Sequence, residues 1–403
     1  MPEYSAEEAA SRSGATEEFV ARMTSAGFVA GDDGDRFSDA DIRRLQVLQK
    51  IERAGVPLDG LAALVSSGHL SLDFIDSAGQ PVFTPLEDAT FSQLSEETGI
   101  PIGVLATMRE ALGGPPPAPD DRVGQSELAV LPLLQLQHEL GFRDRAIEQG
   151  LRVYGDSLRR IAETEAEWFR SEIIQPMLAK GITEDEVGRF VAVLGPRLTD
   201  VSDEAVMAIY HGQQSHSWLA NISNGLAMAL ENAGLHTVEH RLPAMCFLDI
   251  AGYTHLTSEQ GDQVAADLAE HLRRVVQPPA IEHGGRAVKW LGDGVMFWFP
   301  DARSGVMAAV EMIEGVDAGD LPPAHVGVHA GPVVFQEGDY YGNTVNIAAR
   351  IGEYARPGEV LVSQEVVDRA DPAPSVSFRE VGPVELKGVL DPMVLHAASS
   401  RVV

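Results

Sequence analysis

Only one cysteine occurs in the 403 residues. Cys246 therefore has no intrachain disulfide partner and a cysteine-rich metal site is excluded; its place inside the apolar run from Ala244 to Leu248 points to a small buried hydrophobe. Long apolar runs are missing too. Nothing approaches the roughly 18 residues needed to cross a bilayer, and the N-terminal MPEYSAEEAASRSG lacks the basic and apolar regions of a signal peptide, so no membrane partner and a cytoplasmic location are expected. Positive charge is scarce: 30 Lys and Arg stand against 60 Asp and Glu, a formal net charge of −30. Such a chain is not drawn to nucleic acid or anionic lipid unless basic side chains cluster. If it handles polyphosphate, it has to bring cations of its own, most simply bound metal ions.

What is present reads as a folded chain. A hydrophobic share of 44% and a charged share of 22% are ordinary for globular proteins, and the length predicts two or three domains. The first half is helical and internally repeated. Residues 37–55 align position by position with 123–141, apolar residues recurring at 42, 45 and 48 and at 128, 131 and 134; upstream, Gly14 and Met23 correspond to Gly99 and Met108, an offset of 85. Each copy reads as two short helices, a loop (GDDGDR, or GGPPPAPDDR) and an amphipathic helix. The pattern predicts helical modules over 1–80 and 81–202, the second with a helical extension. The first copy, YSAEEAASRSGATEEFVARM with RFSDADIRRLQVLQKIERAG, resembles the winged helix-turn-helix of MerR-type regulators. Its charge argues against DNA: residues 1–65 carry 7 Lys or Arg and 12 Asp or Glu, and the would-be reading helix opens on Glu17 and Glu18. Residues 203–240 read as a connecting helix, or two with a kink, with Met207, Tyr210, Trp218, Ile222, Leu226 and Leu230 at helical spacing.

From 241 to 403 the pattern changes to alternating strands and helices. Met245-Cys-Phe-Leu-Asp249 is a buried-type strand ending in a carboxylate, where an unpaired charge is costly. The next helix shows Val264, Leu268, Leu272 and Val275 along one face, and two strand-like runs then meet at Gly292-Asp293-Gly294, a hairpin signal. Two carboxylates at strand ends and turns are the usual means of holding Mg²⁺ or Mn²⁺ against substrate phosphates. Asp249 and Asp293 are the candidates. Further on, a glycine-rich approach opens a helix on which Asn346 and Arg350, four residues apart, share a polar face beside a predicted apolar stripe of Ile347, Ile351 and Tyr354.

FLDIAGYT, KWLGDGVMFWF, HVGVHAGPVVF and DYYGNTVNIAAR, in this order, resemble the class III nucleotide cyclase homology domain over about residues 241–398. The resemblance implies an α/β catalytic domain with a ferredoxin-like core, working as a head-to-tail homodimer behind the mainly α-helical regulatory region. It implies two metal ions per site, Mg²⁺ or Mn²⁺, held by Asp249, Asp293 and the backbone carbonyl of Ile250. Lys289 and Asp339 match the positions that read adenine, and Asn346 and Arg350 those that stabilise the transition state. Lys387, in ELKG, is the candidate for a triphosphate contact. The expected activity is conversion of ATP to 3′,5′-cyclic AMP and pyrophosphate at sites split between two subunits, one giving the aspartates and the other Lys289, Asp339, Asn346 and Arg350. The resemblance also implies restraint by the helical half, answering to a proton or small molecule; His211, His216, His236 and His240 cluster around the connecting helix, where protonation near neutral pH would act. The alternatives are a catalytically silent nucleotide sensor and a DNA-binding regulator.

Overall fold

The computed structural model describes residues 3–29, 36–67, 85–235, 241–253, 261–319, 321–370 and 375–401. Two compact units divide the chain, Met1–Asn224 and Gly225–Val403.

In the first unit the sequence repeat is a structural repeat. Helices α1 (Ala6–Ser13), α2 (Glu17–Ser25), α3 (Asp39–Arg53) and α4 (Leu58–Ser66) are followed by α5 (Phe91–Thr98), α6 (Ile102–Ala111), α7 (Gln125–Glu139) and α8 (Asp144–Phe169). The correspondence extends to the caps. Ser5 and Glu8 form a capping box at the start of α1, Thr90 and Gln93 form one at α5, and both helices stop on a left-handed glycine, Gly14 and Gly99. Among the described residues each module has an isolated bridge, Tyr4 to Phe37 in the first and Thr90 to Arg122 in the second. Each copy buries its own core: Phe19, Met23, Ile42, Leu45 and Leu48 in one, Phe91, Leu105, Met108, Leu131 and Leu134 in the other. Arg12 links the two, donating to the Leu86 carbonyl at 2.9 Å and pairing with Asp88 at 3.1 Å. Apart from the Tyr4–Phe37 bridge, no strand pair stands beside α1–α4 among the described residues, and nothing beyond helices supports the winged helix-turn-helix resemblance. Most of the GDDGDR loop lies outside those residues.

After α8 come a π-helical turn at Arg170–Ile174 and α9 (Gln175–Ala179), and then α10 (Glu184–Asn232), 49 residues without a break. Thr183 and Glu186 cap its start with reciprocal bonds of 3.3 and 3.0 Å. The segment read as one helix or two is one, starting earlier than expected. Within α10 only Val187 is buried; Phe190, Val193, Val201, Trp218, Leu219 and Leu226 are exposed. His211 and His216 are exposed on it, while His236 and His240 lie outside the described residues. No described helix is long and apolar enough to cross a membrane.

The second unit holds β1 (Ala244–Ile250), α11 (Asp262–Glu282), β2 (Arg286–Trp290), β3 (Gly294–Phe299), α12 (Ala302–Ala318), β4 (Ala324–Ala330), β5 (Val334–Gln336), β6 (Asp339–Tyr341), α13 (Asn343–Tyr354), β7 (Val360–Ser363), α14 (Gln364–Ala370), β8 (Val376–Val384) and β9 (Met393–Ser400). Seven strands form one sheet in the order β2-β3-β1-β4-β7-β9-β8, and β5 with β6 forms a separate hairpin. β1 is flanked by β3 and β4, both antiparallel. Its alternation explains its composition: Ala244, Cys246, Leu248 and Ile250 enter the core shared with α11 and α12, while Met245 and Phe247 join Met296, Tyr340 and Ala348 on the other face. Asp249 follows Phe247 by two residues and so belongs to that second face. The buried row of α11 runs through Ala265, Leu272, Val276 and Ala280, and Val264, expected in it, is 38% exposed. Tyr354, expected in the apolar stripe of α13, is 49% exposed, whereas Ile347 and Ile351 are buried.

α13 rests on β4 at backbone distance. A Cβ on Gly327 would stand 2.0 Å from the Gly352 nitrogen and 2.6 Å from the Ala348 carbonyl oxygen, whereas a Cβ on Gly352 meets nothing nearer than 3.5 Å. Gly327→Ala is expected to destabilise the protein by about 1–3 kcal/mol in chemical denaturation, from overpacking. Gly352→Ala is expected to be neutral or stabilising by up to about 1 kcal/mol, since alanine favours helix. Equal costs would show that the close approach is not the constraint.

Candidate active site

β1 carries Asp249 to the sheet edge opposite Gly294 on β3 and His325 on β4. Asp293 is the residue before Gly294, in the turn that joins β2 to β3 and is closed by the Leu291 N–H on the Gly294 carbonyl at 2.8 Å. The hairpin read at Gly-Asp-Gly is therefore present, and it puts the second carboxylate beside the first. Space at the pairing position is limited, since a Cβ on Gly294 would lie 3.0 Å from Asp249 Oδ1. That oxygen is buried and has no hydrogen-bond partner, and the same is true of His325 Nδ1 across the strand. Burial, and next the Asp293 carboxylate, push the Asp249 carboxyl above its ordinary value, against opposing contributions from His325 and the Ile250 N–H. The Ile250 N–H also donates to the Asp293 carbonyl at 3.2 Å, tying the strand end to the turn. An orphaned carboxylate oxygen beside a second carboxylate fits a hard divalent cation. Among the described residues no three His, Cys, Asp or Glu side chains gather around a metal position, so a cation here would take its other ligands from phosphate, backbone or water.

Lys289 and Asp339, 50 residues apart in sequence, meet: Lys289 Nζ donates to Asp339 Oδ2 at 2.6 Å, and Asp339 Oδ1 accepts from the Tyr340 N–H at 2.8 Å. The glycine-rich approach to α13 contains a short strand, which starts at Asp339. That strand is β6, the second of a hairpin whose two turn residues, Glu337 and Gly338, both have positive φ (52° and 78°). Tyr340 is stacked on Trp298 at 6.1 Å, and its hydroxyl accepts from Arg286 at 2.5 Å. Sequence reasoning missed Arg286, Trp298 and Tyr340; the Glu-Gly pair between apolar runs was the available signal for the hairpin.

α13 presents Asn346 exposed and Arg350 partly exposed, with Ile347 and Ile351 fixing the helix against β7, β8 and β9. The Arg350 guanidinium is engaged by Glu353 on its own helix, at 2.6 and 2.5 Å. Lys387 is exposed in the segment between β8 and β9, next to Leu386, which packs in the same cluster as Ile347 and Ile351. The structure thus joins Asp249 to Asp293 and Lys289 to Asp339, carries Asn346 and Arg350 on one helix, and leaves Lys387 with only a packing link to that helix.

Residues 238–398 match the adenylate and guanylate cyclase catalytic domain. The C-terminal unit carries a class III nucleotide cyclase domain. Residues 84–211 match the adenylate cyclase regulatory domain, a stretch that begins just before the second helical module and includes most of α10. Along its length the chain is 26% identical, over 389 residues covering 88% of both proteins, to the pH-sensitive adenylate cyclase of Mycobacterium tuberculosis. It is 26% identical over 273 residues to an adenylate cyclase of Streptomyces coelicolor, covering 67% of this chain and 68% of that one. Among solved structures it is similar to the adenylyl cyclase CyaB of P. aeruginosa, at 23% identity and a TM-score of 0.36, over 40% of this chain and 94% of that one.

The electrostatics of the aspartate pair yield a test independent of turnover. A carboxyl whose folded value is raised weakens the fold above that value and ceases to do so as pH falls through it. Asp249→Asn is therefore expected to raise the thermal midpoint of the metal-free cyclase chain at neutral pH. It should also abolish the further rise that is expected of the wild type with Mn²⁺ and a nucleoside triphosphate. A variant that is destabilised without metal, or still stabilised by it, would contradict this account of the site.

Proposed function

We propose that the chain is an adenylyl cyclase, converting ATP to 3′,5′-cyclic AMP and pyrophosphate, with its N-terminal helical half acting as a regulatory region. The observation that carries this is the Lys289–Asp339 pair, at 2.6 Å within a cyclase domain that also pairs Asp249 with Asp293. An ammonium and a carboxylate side by side can donate to the ring nitrogen and accept from the 6-amino group of adenine. Guanine reverses that edge and leaves groups unpaired once the base has covered them, which costs about 1–3 kcal/mol per group.

Asp249, Asp293 and the Ile250 carbonyl would hold Mg²⁺ or Mn²⁺, two ions per site, which when bound supply charge neutralisation on the phosphates and lower the pKa of the ribose 3′-hydroxyl. The chain's own side chains do the rest by positioning. Lys289 and Asp339 fix the base, and Asn346 orients the ribose. The 3′-hydroxyl loses its proton to solvent, its oxygen bonds to the α-phosphorus, the bond from the α-phosphorus to the bridging oxygen breaks, and pyrophosphate leaves with that electron pair. Arg350 neutralises the charge that develops on the α-phosphate, for which it has to exchange Glu353 for substrate. Lys387 is the candidate for a contact to the triphosphate. No protein nucleophile takes part.

Two copies form the working unit in this reading, one giving the aspartates and the other the base-reading pair, Asn346 and Arg350. Exposed apolar side chains support pairing: Val334, Phe335 and Tyr341 on the β5–β6 hairpin are each more than half exposed. The helical half restrains this pair in response to a proton or small molecule, with His211 and His216 on α10 as described candidates for the proton. The bare hydrophobic row of α10 and the match of 84–211 to a regulatory domain support that part.

The direct test is nucleotide turnover by the full chain with Mn²⁺, following cyclic product and pyrophosphate together. ATP is expected to give both in equal amounts and to be preferred over GTP. Lys289→Glu combined with Asp339→Cys is expected to cut ATP use by at least tenfold and raise relative GTP use. An unchanged ATP-to-GTP ratio in the folded double variant would remove both residues from base recognition.

A further inference from the structure

β2 is not a regular strand. Arg286 pairs with Trp298 and Ala287 with Phe297, but the next paired residue is Lys289, opposite Met296, so Val288 is inserted as a bulge. On a regular strand, residues three apart point to opposite faces; one extra residue returns Arg286 and Lys289 to the same face. Both then reach the β5–β6 hairpin at adjacent positions. Arg286 Nη2 donates to Tyr340 Oη at 2.5 Å and Lys289 Nζ to Asp339 Oδ2 at 2.6 Å, while the Tyr340 N–H donates to Asp339 Oδ1 at 2.8 Å. These bonds close a ring of contacts between 286–289 on one strand and 339–340 on the other. The ring is anchored on its Tyr340 side: that residue is only 7% exposed, its ring lies 12° from parallel to Trp298, and the Arg286 guanidinium sits 4.7 Å from the Trp298 centroid and 5.7 Å from that of Tyr340. On the other side Lys289 is 43% exposed, and a half-exposed ion pair holds two side chains together only weakly.

We propose that Arg286 and Tyr340 are positioning residues for base selection. They clamp the β5–β6 hairpin to the bulged strand, so that the Lys289 ammonium and the Asp339 carboxylate stay at a spacing that fits a 6-aminopurine and not a 6-oxopurine. The proposal rests on the assignment of Lys289 and Asp339 to the purine. Neither Arg286 nor Tyr340 needs to touch substrate; each acts through the pair.

The experiment measures kcat/KM of the full chain for ATP and GTP in Tyr340→Phe, Arg286→Gln and Lys289→Ala, and in each of the first two combined with the third. Tyr340→Phe keeps the stacked ring and removes only the hydroxyl, so its fold is expected to survive, as checked by the thermal midpoint. The expected result is a three- to tenfold fall in the ATP-to-GTP ratio for Tyr340→Phe and for Arg286→Gln, about the effect of one hydrogen bond, mainly through a higher KM for ATP. On the Lys289→Ala background the same changes are expected to add less than about twofold, because a clamp has nothing left to position. A ratio unchanged in Tyr340→Phe and Arg286→Gln while Lys289→Ala lowers it overturns the clamp and leaves the adenine assignment standing. Losses of equal size with and without Lys289 also overturn it, as they mark a general packing role. A ratio that Lys289→Ala does not move overturns the assignment of the pair, and the clamp falls with it.

Discussion

A carboxylate oxygen buried at the end of a central strand, with no donor among the described residues and a second carboxylate beside it, is the constraint on which the site depends. Among the described residues nothing donates to Asp249 Oδ1: its neighbour across β3 is a glycine, and its neighbour across β4 is His325, whose Nδ1 is also buried and unpaired. A charge left uncompensated in this way is kept only where something outside the protein completes it. In a chain of net charge −30, with few cations to spare, the proposed function assigns that completion to a metal ion carried with the polyphosphate substrate. The rest of β1 is fully apolar, and the strand is locked on both sides by antiparallel ladders. A rigid support of this kind keeps two like charges together when no cation is bound.

The same economy appears on the face that carries Lys289 and Asp339. α13 approaches the sheet so closely that only glycine fits at 327, and this sets the height at which Asn346 and Arg350 stand above β4. A one-residue bulge turns Lys289 towards Asp339. In the N-terminal unit the helical module occurs twice, with matching caps and separate cores, and it is the second copy that runs on through α8 into the long helix. That helix leaves Phe190, Val201, Trp218 and Leu226 without cover in a single chain, a hydrophobic cost that pairing of two copies would offset.

Much of this was legible in the residues. The buried strand ending at Asp249, the Gly-Asp-Gly hairpin, the alternation of strands and helices and the helical repeat all rest on local patterns, which is where sequence carries the most signal. Leu268, Leu272 and Val275 do form the packed face of α11, and only Val264 was misread into it, because Ala265, which is buried instead, carries little hydrophobic signal. The contacts of Arg286 and Tyr340 could not be read. They join residues 54 apart, and the bulge at Val288 that makes them face each other has no local signature in Arg-Ala-Val-Lys-Trp. The unity of α10 was half visible, since the periodicity from Met207 to Leu230 was plain but fitted one helix or two with a kink.

The central claim is that metal aspartates and Arg350 serve one site from two different chains. Its most direct measurement is cyclic AMP formation by co-expressed Asp249→Ala and Arg350→Ala chains, with heterodimers confirmed by differential tags. Each variant alone carries a lesion in both sites and is expected to be nearly inactive. In a heterodimer one site collects both lesions and the other none, so with random pairing about a quarter of wild-type activity should return. Confirmed heterodimers no more active than either parent would contradict the shared site and the division of residues on which this account rests.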